Sequence, residues 1–320
     1  MAAVVFAACL LAQGVAPAVA EMRRPVRIGA LTTSWGASPS VVGLRNGLVK
    51  LGYRENQDFV IGTRFTSGDG AMLPLAAREL IKMGVDIMFA AGAAPALAAQ
   101  QATSRVPVVF LVEGDPVQIG LVSSYARPGA NLTGISSDET ALAPKRLEFF
   151  KRMIPELRRV MFVFNALDRF ANLQALSYRR AGKRLGVELL ERPVRTEAEA
   201  EAVVSRVGKT EVDGMLVTGM ADLNIPGFIL QAGARAGVPG MFTAAFWPER
   251  GGFASYAANN FTSGRLAARL VEKIMRGENP ADIPVEVNNE IEFVINLKVA
   301  KSLGLEISRE VLYQAHRIIR

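Results

Sequence analysis

Histidine and cysteine are almost missing from this chain. Its 320 residues hold one of each, His316 and Cys9. A Cys/His zinc site needs several such ligands, and a Cys–His or Ser–His–Asp arrangement needs an imidazole at its centre. Both classes are excluded from the body of the chain, together with thiol redox chemistry and an internal disulfide. Chemistry based on carboxylates or lysine stays open. His316 sits in the terminal pattern 308–320, near an expected helix end, where an exposed or capping role fits. Phosphate-cradling glycine motifs are missing too. No Gly-x-Gly-x-x-Gly or Walker loop occurs anywhere, so nucleotide binding has no support. Beyond residue 20 no apolar run is long enough to span a bilayer. The basic balance, formally +7, is not concentrated. Lys145, Arg146, Arg179, Arg180, Lys183 and Arg184 occupy ordinary helix-surface positions, and the densest run, YRRAGKR, reads as a solvated helix face. With no nucleic-acid motif beside it, a nucleic-acid partner is not expected. No metal or cofactor is expected either.

Half of the residues are apolar and a fifth are charged, a composition that buries one large core or two ordinary ones and argues against disorder. The first twenty residues stand apart. MAAVVFAACLLAQGVAPAVA is uncharged, ends in Ala18-Val19-Ala20 and is followed by EMRR. An apolar stretch closed by small residues matches a cleaved export signal, although the usual basic start is absent. Gln13, Gly14 and Pro17 interrupt it as a membrane span. A periplasmic product cleaved after Ala20 is the expectation.

The stretch 85–117, VDIMFAAGAAPALAAQQATSRVPVVFLVEGDPV, sets the architecture. Its two short apolar runs, 85–90 and 106–112, have the length of strands buried on both faces. An Ala-rich segment with Pro95 in its first turn reads as the helix between them. This is a βαβ unit, and such units build parallel sheets with their ligand crevice at the carboxyl ends of the strands. The same rhythm precedes it, with strands at 27–34 and 58–65 and helices at 39–51 and up to about 83. A helix from the 113–116 loop to about Tyr125 is expected, then a strand at 131–136. The rhythm restarts with a helix at 140–153 and strands at 159–164, 187–194, 214–217, 239–243 and 253–257. Further helices are expected at 170–185, 197–207, 226–236, 260–275 and 297–303, a strand at 290–295 and a final helix. Asn131-Leu132-Thr133 is a formal glycosylation sequon inside a strand and is discounted. The expected fold class is therefore α/β, with two doubly wound parallel-sheet lobes and an interlobe cleft. The expected division is 1–20 export signal, 27–134 with 258–283 in lobe 1, and 135–257 with 284–320 in lobe 2. At the strand ends, Thr32, Thr33 and Ser34 serve as helix-entry caps or as ligand donors; both readings stand. Asp115 is the best-placed acidic residue of the first lobe. It either caps the segment after Pro116 or meets a ligand ammonium group.

Several segments, in this order, resemble the ABC-transporter substrate-binding proteins related to the tryptophan-binding type. They are RIGALTTS, LRNGLVKLGYRENQDFVI, PLAARELIKMGVDIMFAAGAAPALAAQQAT, VPVVFLVEGDPVQIGLV, RPGANLTGIS, KRLEFFKRMIPELRRV, RGENPADIPVE and FVINLKVAKSLGLEI. The resemblance runs from Arg27 to about Ile307. It implies a type 1 periplasmic-binding-protein fold that closes on a small molecule, often an aromatic amino acid. It also implies partnership with the permease and ATPase subunits of an importer, with the membrane reached only through the permease. Carried over by position, the family's site falls on Thr32, Thr33, Ser34 and Trp35, on Gly92, Ala93 and Ala94, and on Asp115 in lobe 1. In lobe 2 it falls on Asn165, Thr218, Gly219 and Phe246, with Tyr256 near a crossover. Trp35, Phe246 and Tyr256 would supply flat apolar surface. The chain departs from the family where Gly92-Ala93-Ala94 lacks a hydroxyl and where Asn165-Ala166-Leu167-Asp168 replaces an Asn-Pro-Asn-like loop. A solute receptor without enzymatic activity is the function implied. The alternatives are a ligand-sensing domain partnered with a signalling protein, and a small-molecule enzyme on the same fold using Asp115 or Glu113 as base.

Overall fold

The structure is a computed structural model and describes residues 24–34, 36, 38–218 and 226–320. The expected export signal, Trp35 and Gly219 lie outside them. The chain opens with three βα steps and two further strands: β1 (Val26–Thr32), α1 (Pro39–Lys50), β2 (Phe59–Phe65), α2 (Leu73–Lys82), β3 (Ile87–Ala91), α3 (Ala93–Ala102), β4 (Val108–Val112) and β5 (Leu132–Ser136). It continues through α4 (Glu139–Met153), β6 (Arg159–Asn165), α5 (Arg169–Leu185), β7 (Glu188–Val194), α6 (Glu197–Ser205), β8 (Gly214–Thr218), α7 (Pro226–Ala236), β9 (Gly240–Phe242), α8 (Phe246–Glu249) and β10 (Ala254–Ala258). The remainder is α9 (Asn260–Met275), β11 (Glu286–Val287), β12 (Ile291–Asn296), α10 (Leu297–Ser302), α11 (Arg309–Gln314) and β13 (Arg317–Ile319).

These strands form two sheets, ordered β11-β5-β4-β3-β1-β2 and β13-β12-β10-β9-β8-β6-β7. All pairings are parallel except β10 with β12. Both sheets are covered on both faces, which is why β4 is five apolar residues without alternation. In lobe 2, Phe162 and Phe164 of β6 enter one apolar cluster and Met161 and Val163 the other, as the period of two demands. The two-lobed α/β expectation holds. The first sheet runs to Ser136 and gains β11, so it reaches past the expected limits at 134 and 283.

One expected helix is absent, and the expected final helix is short and followed by a strand. Between Pro116 and Tyr125 the chain makes turns instead. The Val117 N–H binds the Asp115 carboxylate at 2.9 Å, and Gly120 adopts φ 76°, a left-handed value that ends the turn. The carbonyl of Tyr125 is then taken by Val285 N–H at 2.8 Å. At the C terminus, helix α11 stops at Gln314 and β13 follows, because the edge of β12 offers unpaired backbone groups. His316 closes that edge from both sides: its N–H donates to the Phe293 carbonyl at 2.9 Å and its Nδ1 accepts from Phe293 N–H at 3.1 Å. Thr133 of the sequon is fully buried and donates to the Ile283 carbonyl.

The chain changes lobes after β5, after β10 and after β11, and these crossovers are stitched together by buried polar groups. Glu139, at the start of α4, accepts from Ala258 N–H at 2.9 Å and forms an ion pair with Arg146. Arg146 also donates to the Tyr256 carbonyl and the Tyr178 hydroxyl, both at 2.6 Å. The two charged residues are 1% and 0% exposed, so Arg146 is not the helix-surface residue expected from the sequence. Burial alone would lower the Arg146 pKa, but Tyr178 and Glu139 outweigh it and hold the guanidinium above its ordinary value. Asn288 supplies the third stitch. Its amide donates to the Asn259 carbonyl and to Ser263 Oγ, and its N–H to Ser136. Helix α9, entering from this joint, lies backbone to backbone on α1. A Cβ on Gly43, Gly47 or Gly264 would strike the partner helix.

Candidate functional site

The carboxyl ends of the strands of both lobes face one cavity of about 580 Å³. From lobe 1 it receives Thr32, Thr33 and Ser34 after β1, Gly92, Ala93 and Ala94 after β3, and Glu113 after β4. Helix α1 begins there at Ser38 without a side-chain cap, because the Ser38 hydroxyl pairs with Ser40 Oγ at 2.7 Å. Helix α3 begins at Gly92, which has no side chain, so the amides of Ala93 and Ala94 receive no cap either. Gly92 has φ 121°, a conformation that L residues rarely adopt. The uncapped N-terminal turns of two helices therefore point partial positive charge at the cavity.

Lobe 2 builds its wall differently. Helix α5 is capped by Asp168, whose carboxylate accepts from Phe170 N–H at 2.8 Å. Burial pushes the Asp168 carboxyl pKa up, and the N–H groups of Phe170 and Ala171 only partly offset this. Gln174, one turn further on, accepts a hydrogen bond from the Thr218 hydroxyl. Asn165 Oδ1 accepts from Leu167 N–H at 2.9 Å. Phe170, Phe246 and Trp247 complete the wall. Trp247 is stacked on Phe242 with centroids 4.8 Å apart, and Phe246 stands on edge to Trp247 under the Arg250 guanidinium. These contacts fix flat apolar surface beside a half-buried acid. The charged side chains among the described lining residues are Glu113, Asp168 and Arg169.

Nine expected site residues thus line one cavity: Thr32, Thr33, Ser34, Gly92, Ala93, Ala94, Asn165, Thr218 and Phe246. Two expected residues stand elsewhere. Asp115 does not line the cavity; its carboxylate caps the turn at Val117, which is the capping alternative of the sequence reading. Tyr256 packs against Phe149 and Phe293, and its carbonyl serves Arg146. Trp35 and Gly219 are not described. Sequence reasoning overlooked Ser38, Ser40, Asp168, Phe170, Gln174 and Trp247 as lining residues. The signal for Asp168 was present as an acid directly before a helix, and Trp247 adjoins Phe246. Gln174 carried no local signal, because only the turn of α5 brings it over Thr218.

Residues 31–319 match the family model for ABC transporter substrate binding proteins. The chain belongs to this family. As a substrate-binding protein it is a solute receptor that serves a transporter by binding a small molecule. A tyrosine-binding protein of Clostridioides difficile (strain R20291) is 25% identical over 278 residues, which are 84% of this chain and 78% of that protein. A Streptococcus pneumonia domain in complex with L-Trp superposes with a TM-score of 0.81 at 24% identity, covering 92% of this chain and 100% of that one. The ligand-free, open structure of a Clostridium difficile substrate-binding protein with adhesive properties gives 0.63 at 22%, over 92% and 99% of the two chains. These likenesses establish the two-lobed fold of type 1 periplasmic binding proteins for this substrate-binding protein.

Proposed function

We propose that this substrate-binding protein captures a small zwitterion with a flat apolar side group, an aromatic amino acid by class. It then hands the solute to the permease and ATPase subunits of an importer. The observation that carries the reading is the division of labour across the cavity. Uncapped helix starts at Ser38 and Gly92 suit a carboxylate. Half-buried Asp168 suits an ammonium group, and Phe170, Phe246 and Trp247 suit an aromatic ring. A charge withdrawn from water needs such partners, because an unpaired one is costly. The tyrosine-binding relative is in keeping with this class. Binding proceeds by closure of the lobes about the three crossovers, and it proceeds without turnover.

The receptor works outside the cytoplasm in this reading, after removal of residues 1–20. N-terminal sequencing of the exported protein is expected to begin at Glu21; a protein that keeps residues 1–20 overturns this part. Among the described residues no helix is long and apolar enough to cross a membrane. For the ligand, native mass spectrometry of co-purified molecules followed by calorimetry with L-tyrosine, L-tryptophan and neutral sugars is decisive. Micromolar or tighter binding of an aromatic amino acid is expected. Binding of the sugars alone overturns the proposal.

A further inference from the structure

Gly114 lies in lobe 1, just past the end of β4, with φ 154°. Phe170 lies in lobe 2, in the first turn of α5. A Cβ placed on Gly114 would overlap three carbon atoms of the Phe170 ring, the most distant of them at only 2.8 Å. Contacts this short do not occur, so the ring rests on bare backbone across the cleft. Phe170 is 5% exposed, yet it belongs to none of the four apolar clusters among the described residues. Its burial is therefore not supplied by the core of its own lobe.

We propose that Gly114 and Phe170 form the contact that closes the cleft, the ring seating on residue 114 only because that residue has no side chain. This rests on the reading of the chain as a receptor whose lobes close. Neither side has room to retreat. The Gly114 carbonyl is held by Ser136 Oγ at 2.9 Å, and Ser136 in turn lies 3.2 Å from the Tyr125 hydroxyl. On the other side the N–H of Phe170 is bound to the Asp168 cap at 2.8 Å. Parting the lobes would return an aromatic ring to water, so the contact favours the closed state. Phe170 also lines the cavity, so the residue that seals the lobes is one that a ligand touches. A side chain at position 114 acts on the balance between open and closed states, and affinity falls by the fraction of closed protein lost.

The test uses the full chain with Cys9 replaced by Ser and with spin labels on cysteines introduced at Gln118 and Arg180, exposed positions in lobes 1 and 2. Distances are read first without ligand. The parent protein is expected to populate a short distance. G114V is expected to shift the population to a longer one, with L-tyrosine affinity reduced at least about tenfold. In the double variant G114V/F170A the overlapping ring is gone, so its distances are expected to match those of F170A alone. A parent protein with only the long distance overturns the contact, and so does a G114V protein that closes normally. A double variant more open than F170A alone also overturns it, since backbone strain at φ 154° would then be the cause. A parent protein that populates the short distance and ignores L-tyrosine, with G114V opening it, upholds the contact and refutes the amino-acid reading.

Discussion

In lobe 1 two helices that reach the cavity, α1 and α3, begin at Ser38 and Gly92 with no side chain on their first amides, while a third, α9, reaches it through Asn260 and Ser263 and is capped by Asn259. In lobe 2 the helix that does the same, α5, begins at Asp168 and is capped by it. Both walls come from the same strand–loop–helix plan, yet they present opposite chemistry. An uncapped helix start carries donors and partial positive charge, and it is completed by whatever anion arrives. A helix start closed by a carboxylate has already met that need, and it leaves a half-buried acid with lone pairs to spare. The aromatic rings gather on the same side as the acid. On the proposed reading the lobes are not interchangeable halves of a clamp: one would meet charge mainly through backbone, the other shape and the opposite charge through side chains.

The contrast holds only while the two walls keep one relative position, so the largest expected effect comes from the joint. Removing Arg146 leaves Glu139 buried and unpaired, a situation that costs about 3–5 kcal/mol. R146M is expected to lower the unfolding free energy by that amount in denaturant titrations. Replacing Glu139 and Arg146 together by apolar residues of similar volume is expected to cost far less. Equal losses from the single and double variants would mean that packing, not the buried charge, holds the crossovers.

Asp168 tests the walls themselves. D168N is expected to weaken L-tyrosine binding at least about a hundredfold, or ~2.7 kcal/mol. The empty protein should stay as stable or gain stability, because Asn caps a helix as well as Asp does and carries no charge to desolvate. The pH sign follows from burial, which raises the Asp168 pKa above its ordinary value. A raised carboxyl binds more protons folded than unfolded, so this group's contribution to stability declines as pH rises from the ordinary carboxylate range through the raised value. Ligand affinity runs the other way and declines as pH falls through that raised value, since the neutral acid no longer pairs with an ammonium. Calorimetry over a pH series reads the binding change. Affinity flat across that range, with D168N near normal, would remove Asp168 from the site.

The smallest expected effects sharpen the contrast between backbone and side chain. F246A strips an edge-on ring from the lobe 2 wall and is expected to weaken L-tyrosine binding about tenfold, near 1.4 kcal/mol. S38A is expected to cost no more than about threefold, because the Ser38 hydroxyl is spent on Ser40. Fluorescence titration of the two variants compares them directly. A larger loss from S38A than from F246A would invert the assignment of charge reading to backbone in lobe 1.

The alternation of strands and helices was legible because fully buried parallel strands such as β4 leave unbroken apolar runs, and Gly or Pro marks their ends. The segment 116–125 misled for a physical reason. Its residues tolerate a helix, but Gly120 and the demands of the 283–285 loop on Tyr125 decide otherwise, and that loop lies far away in sequence. The terminal segment misled likewise, since β13 exists only because β12 has an open edge. In the site, loops placed at strand ends were legible from position alone. Asp115 and Asp168 were both acids at helix-like starts, and nothing local distinguishes them. What separates them is that α5 forms while the segment after Pro116 turns, so only Asp168 is carried to the cavity wall.

Lobe 1 is finished by pieces the chain delivers late. Thr133 waits for a carbonyl 150 positions further on, and the glycine face of α1 waits for α9. During synthesis the first lobe therefore exists for a long interval as a sheet lacking one edge strand and one covering helix. Closing such distant contacts is slow, because the entropy of the intervening chain is lost before the contacts are gained. Lobe 2 is continuous from α4 to β10 and then waits for β12, β13 and the helices between them, the last elements of the chain. A receptor assembled in this order remains unfinished until nearly all of it has been made, so the last strands, rather than the first, set the moment at which it becomes able to bind.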